Sequence, residues 1–290
     1  MRYSGQRGMG RVALRHSLRL VSTFNARTIR LNARASMSEL PPIVTERVVL
    51  PGPVGNLEGI VDQPTYRDVG SGERVGNIAR PTYRDVGSGE PVGSRQRPPV
   101  APVERVAILC HPHPQFGGTM TNKVVHMLAK ACNDLGAAAV RFNYRGVGTN
   151  AGSYDQGNGE TDDTLAAIDW AQRRWPHAQL WLGGFSFGGA VAMKAASRRT
   201  PRLLMTVAPA VQRVAVDSMP TCPWLVVQGD SDELVDAVHT QAWIAALAAP
   251  PVLKLLPGVD HFFHGRLTEL REIVVQWAGS QDPVDAPSRP

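Results

Sequence analysis

The 290-residue sequence has few cysteines and no long apolar run. No stretch approaches the roughly 18 consecutive apolar residues that a membrane-spanning helix needs, which excludes a membrane span. The three cysteines, Cys110, Cys132 and Cys222, are widely spaced and lack the paired spacing of a zinc site or a disulfide framework. We therefore expect buried thiols, a reducing compartment and a cytoplasmic location.

Acidic residues are absent from residues 1–36, which hold eight of the 31 Lys and Arg residues of the chain. The formal net charge of +6 depends on this segment, because the rest of the chain has 23 basic and 25 acidic residues. No basic stripe is present elsewhere in the sequence. The composition therefore argues against a nucleic acid partner.

The basic extension of residues 1–36 permits two interpretations. Arg11, Arg15 and Arg19 share one face of a potential helix opposite two leucines, as in a mitochondrial presequence. A mitochondrial location is then the alternative to the cytoplasm. We favour an upstream start codon, with the working protein beginning at Met37. The extension is in either case expected to be a disordered or targeting segment outside the folded domain.

A tandem repeat interrupts the first part of the chain. The sequence PTYRDVGSGERVG at 64–76 recurs as PTYRDVGSGEPVG at 81–93, with one difference. Two copies are too few for a solenoid, and units rich in Gly, Pro and Arg bury too little apolar surface to offset the entropy of ordering. We expect a flexible insertion over 63–102 in a single domain of residues 37–278, followed by a disordered tail over 279–290.

Short apolar runs alternate with amphipathic segments from residue 103 onward. The runs typical of buried strands are 104–110, 137–143, 178–185, 202–209, 223–229 and 251–258. Apolar residues three and four apart in 124–135, and acids at the start of 160–175, predict helices between them. Two more strands are predicted around the Pro/Gly turn in 46–61. This alternation predicts an α/β fold, with a mostly parallel central sheet and helices on both faces.

The segment LWLGGFSFGG places Ser186 where a buried strand ends and a helix begins. Such a turn is so tight that its neighbours must be nearly free of side chains, as Gly184 and Gly188 are. The serine is then exposed at the carboxyl edge of the sheet, and the following helix supplies backbone donors. A glycine-rich turn with an incidental serine is the alternative, and it predicts no catalytic partners elsewhere.

Candidate partners for Ser186 follow in the order that such a site requires. Asp232 lies in QGDSDELV, just beyond a strand, and His261 lies in LPGVDHFFHGRL, after the last strand. A serine hydroxyl needs an imidazole as its base, and the imidazole needs a carboxylate to fix its tautomer. The order Ser, Asp, His matches α/β-hydrolases and differs from the orders of chymotrypsin-like and subtilisin-like proteases.

Neighbouring residues compete for two of these roles. Asp230 and Asp236 are alternative acids, but the spacing Gly-x-x-Asp-x-x-Val favours Asp232. His264 is the alternative base, although it stands where a helix is expected to begin. We therefore assign the acid to Asp232 and the base to His261.

Two further loops are predicted at the same sheet edge. The loop CHPHPQFGGTMTNK follows the first parallel strand, and the backbone N–H groups of His113 and Phe187 are our candidate oxyanion donors. His111 and His113 could suggest a metal, but no additional Cys, His or carboxylate cluster completes a ligand set, so no metal or cofactor is predicted. The glycine-rich loop after the next strand lacks phosphate-binding spacing and is interpreted as structural support.

Four motifs, in this order, resemble a known family: HPHPQFGGTMTNKVV, RFNYRGVGTNAGSYDQGNGE, GFSFGG and GVDHFFHGRL. They are similar to small uncapped bacterial hydrolases of the α/β-hydrolase superfamily related to dienelactone hydrolases and carboxylesterases. The resemblance covers residues 43–278 apart from the insertion, and it implies Ser186, Asp232 and His261 as the catalytic triad. The sequence departs from the commoner His-Gly oxyanion motif in having Pro112 after the first histidine.

We therefore expect a soluble serine hydrolase that acts on small-molecule carboxylic esters or thioesters through an acyl-enzyme. A small-peptide or C–C bond hydrolase on the same triad is one alternative, and a non-catalytic binding protein that keeps the fold is another. Residues 210–222, between two predicted strands, are too few for a multi-helix cap. An uncapped site encloses little apolar surface, so we expect a preference for short acyl chains.

Overall fold

The computed structural model describes residues 42–65, 102–216 and 218–281. The predicted extension at the start of the chain lies outside these residues, as do most of the insertion and most of the tail. The expectations for those three segments therefore stay predictions.

Among the described residues, the strands form a single eight-stranded sheet. They are β1 (Ile43–Gly52), β2 (Gly55–Pro64), β3 (Arg105–Cys110), β4 (Ala138–Phe142), β5 (Gln179–Phe185), β6 (Leu203–Val207), β7 (Trp224–Gly229) and β8 (Val252–Leu256). Their order across the sheet is β1-β2-β4-β3-β5-β6-β7-β8. The hairpin of β1 and β2 is antiparallel and joins β4 antiparallel, while the six strands from β3 to β8 are parallel to one another. The predicted mostly parallel sheet is confirmed.

Helices cover both faces of this sheet, as the alternating pattern predicted. They are α1 (Lys123–Asp134), α2 (Asn158–Arg174), α3 (Phe187–Ala196), α4 (Ala237–Ala245) and α5 (Leu267–Gln281). Successive strand side chains point to opposite faces, so Ile108 packs with α2 and α3, while Leu109 packs with α1 and α5. The strands read as continuous apolar runs because both of their faces are buried.

Two element boundaries differ from the sequence-based ones. β2 continues to Pro64, which pairs with Ile43, so the ladder includes two residues assigned to the insertion. α5 continues to Gln281, three residues past the expected end of the domain. Both elements are extended by regular backbone hydrogen bonding, which the composition of their last residues did not reveal.

The connection between β6 and β7 contains no helix among its described residues, 208–216 and 218–223. This agrees with the expected absence of a cap at that position. In the described ranges, no helix is long and apolar enough to cross a membrane. The three cysteines are free thiols, and Cys110 and Cys132 are buried.

A buried ion pair ties the loop after β4 to α2. Arg145 Nη2 lies 2.8 Å from Asp163 Oδ1, and Arg145 Nε lies 3.0 Å from Oδ2. The carboxylate side chain has no exposed surface. The guanidinium packs directly over Gly159, where any side chain would overlap it.

Arg145→Met is expected to lower the free energy of unfolding by about 3–5 kcal/mol, because it leaves the Asp163 carboxylate buried without its partner. Urea unfolding followed by circular dichroism measures this change. The double variant Arg145→Met/Asp163→Leu removes both charges and should recover most of the loss. Equal unfolding free energies for wild type and the single variant would show that the pair contributes little to stability.

Candidate active site

Ser186 occupies a strained turn between β5 and α3. Its backbone dihedrals are φ 55° and ψ −119°, a region that side-chain-bearing residues rarely adopt. A β-carbon at Gly184 would overlap the Gly188 carbonyl group, and one at Gly188 would overlap the carbonyl oxygens of Cys110 and His111. Both glycines are therefore required sterically, which explains the glycines that flank the serine in the sequence.

Backbone hydrogen bonds hold this turn in place. The Ser186 N–H donates to the carbonyl oxygen of Val207 at the end of β6, at 2.8 Å. The Ser186 carbonyl oxygen accepts from the N–H groups of Gly189 and Ala210, each at 3.0 Å. Surrounding structure thus fixes the strained residue, as a preorganised nucleophile requires.

Three predicted residues meet at the carboxyl edge of the sheet. Ser186 follows β5, Asp232 follows β7 and His261 follows β8. His261 Nε2 lies 3.1 Å from Ser186 Oγ, and His261 Nδ1 lies 2.8 Å from Asp232 Oδ2. Both distances are within hydrogen-bond reach, so a nucleophile, a base and an orienting acid are in series.

The Asp232 carboxylate is fully buried and accepts several hydrogen bonds. Oδ1 accepts from the N–H groups of Leu234 at 2.9 Å and Val235 at 2.7 Å, and Oδ2 accepts from Gln228 Nε2 at 2.9 Å. Burial alone would raise the pKa of this carboxyl, but hydrogen bonds from His261 and these backbone groups outweigh it and lower the pKa. Asp232 therefore stays ionised and can stabilise a protonated imidazole.

Gln228 contacts the candidate acid, and the sequence reasoning missed it. Its side chain is buried, and its amide donates to the same Asp232 oxygen that faces His261. The available signal was a glutamine near the end of the otherwise apolar strand WLVVQG. A buried polar side chain at the carboxyl end of a strand has to find a partner, and here the partner is the candidate acid.

The imidazole of His261 is held on several sides. Its backbone N–H donates to Glu233 Oε2 at 3.2 Å, and its ring lies 4.8 Å from the ring of Phe185 and 5.2 Å from that of Phe262. With Nδ1 donating to the acid, Nε2 carries the lone pair that faces the serine hydroxyl. This tautomer is the one that a general base needs.

The competing residues have other partners. His264 is largely exposed, and its Nδ1 lies 2.6 Å from Asp260 Oδ2. Asp230 accepts from the N–H of Gly258 at 2.7 Å, and Asp236 caps α4 by accepting from the N–H of His239. The structure thus brings Ser186, Asp232 and His261 together, and the alternative residues Asp230, Asp236 and His264 bind other partners.

His111 joins the loops that follow β3 and β4. Its ring is fully buried, Nε2 accepts from the Tyr144 N–H at 3.2 Å, and Nδ1 donates to the Pro112 carbonyl oxygen at 2.7 Å. Burial lowers the pKa of this imidazole to about 4, so it is neutral near pH 7. Both ring nitrogens of His111 therefore form hydrogen bonds with backbone groups. In the described ranges, no group of three or more His, Cys, Asp or Glu residues could hold a metal ion.

The glycine-rich loop after β4 supports the loop after β3. Asn143 Oδ1 accepts from the Met120 N–H at 2.9 Å, and Asn150 Nδ2 donates to the carbonyl oxygens of Asn143 and Tyr144. These contacts are internal to the protein, which matches the supporting role that the sequence predicted for this segment.

The two candidate oxyanion donors lie beside the serine. Phe187 is the first residue of α3, so its N–H has no partner within the helix. His113 lines the same cleft as Ser186, and its ring lies 4.9 Å from the Phe187 ring. As far as the structure describes the chain, neither N–H donates to another protein group. Both remain available to a substrate oxygen.

A cleft of about 380 Å³ opens onto the serine hydroxyl. Its lining residues are Pro112, His113, Phe116, Gly117, Gly118, Asn122, Ser186, Ala210, Arg213, Leu234, Val235, His261 and Phe262. Three apolar side chains at its rim are substantially exposed: Phe116, Leu234 and Phe262. The cleft is the size of a small-molecule site, and most of its wall is apolar.

Comparison with known proteins gives consistent matches. The family model for the alpha/beta hydrolase fold matches residues 108–218. An alpha-beta serine hydrolase homologue from Coxiella burnetii is 37% identical with a TM-score of 0.63, covering 80% of this chain and 96% of that one. A protein from Xanthomonas campestris, described as a serine hydrolase without a lid, is 36% identical with a TM-score of 0.68, covering 85% of this chain and 99% of that one.

A curated relative agrees with these matches. An uncharacterized protein of Rickettsia prowazekii is 34% identical over 187 residues, which are 60% of this chain and 78% of that protein. Relatives of this identity and coverage show that the chain belongs to the α/β-hydrolase family.

Proposed function

We propose that this chain, which belongs to the α/β-hydrolase family, is a serine hydrolase of small carboxylic esters or thioesters. The observation that carries the proposal is the pair of hydrogen-bond distances that link Ser186 to His261 and His261 to Asp232. A positioned base next to a serine on a strained turn is the arrangement that activates a hydroxyl nucleophile. A serine retained for packing alone would not need a base aligned with it.

This geometry supports acyl transfer as the proposed reaction. Ser186 Oγ attacks the carbonyl carbon while His261 Nε2 takes the hydroxyl proton, and the N–H groups of Phe187 and His113 stabilise the oxyanion. The same proton then passes from His261 to the leaving alcohol or thiol, which departs and leaves an acyl-serine. Water, deprotonated by His261, attacks this ester and releases the carboxylic acid and the free serine.

The cleft also supports a substrate size. The cleft is open, because the described part of the β6–β7 connection forms no cap over it. The side chains at the rim of the cleft are partly exposed. Each substrate methylene gains about 0.8 kcal/mol only where it is fully enclosed. Long acyl chains would therefore extend into solvent without gaining binding energy.

Catalytic efficiency on p-nitrophenyl esters from acetate to palmitate is expected to be greatest at about two to six acyl carbons and then to level off or fall. The rate should show no jump when the ester passes its solubility limit. A fluorophosphonate probe, which reacts with activated serines, serves as the control for a competent site. A maximum at long chains would contradict the open-cleft explanation.

The probe also separates the proposal from its alternatives. Labelling of Ser186 without turnover of any ester in the panel would favour a small-peptide or C–C bond hydrolase on the same residues. Absence of labelling in a folded protein would favour a non-catalytic binding protein.

A further inference from the structure

The cleft beside Ser186 contains a cation that the reaction does not use. Arg213 lines it, and none of the other described lining residues is acidic. In the part of the chain that the structure describes, the Arg213 side chain forms no ion pair or hydrogen bond. Arg213 is an exposed residue, and its guanidinium presents several donors at a fixed geometry that suits a carboxylate or a phosphate.

Backbone contacts fix the position of Arg213 relative to the nucleophile. The Ala210 N–H donates to the Ser186 carbonyl oxygen, and the Arg213 N–H donates to the Ala210 carbonyl oxygen, each at 3.0 Å. The next residue, Val214, is buried and packs closely against Gly157 at the start of α2. The loop that carries the arginine is therefore anchored on both sides.

Two neutral donors accompany this positive charge. The rings of His113 and Tyr154 lie 4.7 Å apart. Burial, and after it the nearby Arg213 charge, lower the pKa of His113, while burial and then Glu160 raise the pKa of Tyr154. Both side chains are thus uncharged near pH 7. His113 Nδ1 accepts from the Gln115 N–H at 3.3 Å, which leaves Nε2 as the protonated nitrogen.

The side of the cleft at His261 includes the ring of Phe262, which lies 5.2 Å from the imidazole, and Leu234 and Val235 also line the cleft. Because His261 protonates the leaving oxygen, the alcohol part of a substrate lies on this apolar side. The acyl part then extends away from His261. Arg213 also lines this cleft and lies close enough to His113 for its charge to lower the pKa of that imidazole, so we place the acyl part beside Arg213.

We propose that Arg213 binds a carboxylate on the acyl part of the substrate, so that the preferred substrates are short esters of dicarboxylic acids with one free carboxylate. This inference rests on the proposed esterase function and names its substrate class. The planar guanidinium matches a carboxylate with two parallel hydrogen bonds. The neutral imidazole of His113, which lines the same cleft, can add a hydrogen bond without adding charge.

Two esters of equal size test the inference: monoethyl glutarate and the same ethyl ester with a carboxamide in place of the free carboxylate. The wild-type enzyme is expected to favour the carboxylate ester by about tenfold in kcat/KM, the effect of one charged hydrogen-bonded pair. Arg213→Gln should bring this ratio close to one, Arg213→Lys should keep part of the preference, and Arg213→Glu should invert it. Added salt should lower the wild-type ratio.

Arg198→Gln is the matched control, because Arg198 is an exposed arginine whose partner is Asp162 at 3.2 Å. It should leave the ratio of the two esters unchanged. Equal kcat/KM values for the two esters in the wild type would overturn the role of Arg213 while the proposed function stands. No turnover of either ester, together with no fluorophosphonate labelling of Ser186, would overturn both.

Discussion

Ser186→Ala is expected to lower kcat/KM for p-nitrophenyl butyrate at least about a thousandfold, because no other group can form the acyl-enzyme. The melting temperature should stay close to that of the wild type. Alanine carries the same β-carbon through the strained turn, and the substitution removes only the hydrogen bond between Ser186 Oγ and His261 Nε2. Ester hydrolysis and thermal unfolding measured on the same preparation check both expectations.

Ser197→Ala provides a control on the same helix. Ser197 follows the last residue of α3, and its hydroxyl donates to the Lys194 carbonyl oxygen at 2.9 Å. This variant should keep its activity and its labelling by a fluorophosphonate probe. If Ser186→Ala retained a substantial fraction of wild-type activity, the nucleophile would have to be a different residue.

His261→Ala should cause a loss of the same order, about a thousandfold or more, because the serine then lacks its base. The fold should survive this change. Asp232 keeps its hydrogen bonds from Leu234, Val235 and Gln228 when the imidazole is absent, so its buried charge is not left without partners. Steady-state ester kinetics combined with circular dichroism measure the two effects separately.

The neighbouring histidine gives the matched comparison. His264 is exposed and pairs with Asp260 on the surface, so His264→Ala should change kcat/KM by less than about twofold. The two residues are three positions apart in the same loop. An inactive His264→Ala together with an active His261→Ala would reverse the assignment of the base.

The parts of this molecule that were predictable from sequence are those set by local patterns. Buried strands appear as apolar runs, and Ser186, Asp232 and His261 each follow one of these runs closely. Parallel strands bring their carboxyl ends to one edge, so chain order alone placed these residues near one another. Gly184 and Gly188 could be interpreted because the steric demand of the turn arises within a few residues.

The contacts that escaped prediction depend on elements that pack together in space. Arg145 meets Asp163 across a loop and a helix, and Arg213 reaches the cleft only because its loop bonds to the nucleophile turn. Neither arginine differs by its sequence context from the many surface arginines of this chain. For His111 the sequence offered a metal ligand or a loop residue, and only the buried partners of its two nitrogens show how it is held.

The positions at which the insertion joins the sheet determine where the length of the chain can change. Asp62 of β2 pairs with Ala139 at the start of β4, and Val106 of β3 pairs with Ala138. The chain therefore leaves β2 and enters β3 at the amino edge of the sheet, whereas Ser186 follows β5 at the carboxyl edge. The 17-residue repeat of the sequence falls between these two attachment points, and both points lie at the edge opposite the loops that carry the candidate catalytic groups. Evolution can lengthen or shorten the enzyme there independently of its chemistry, and an engineer can fuse an additional domain at the same point.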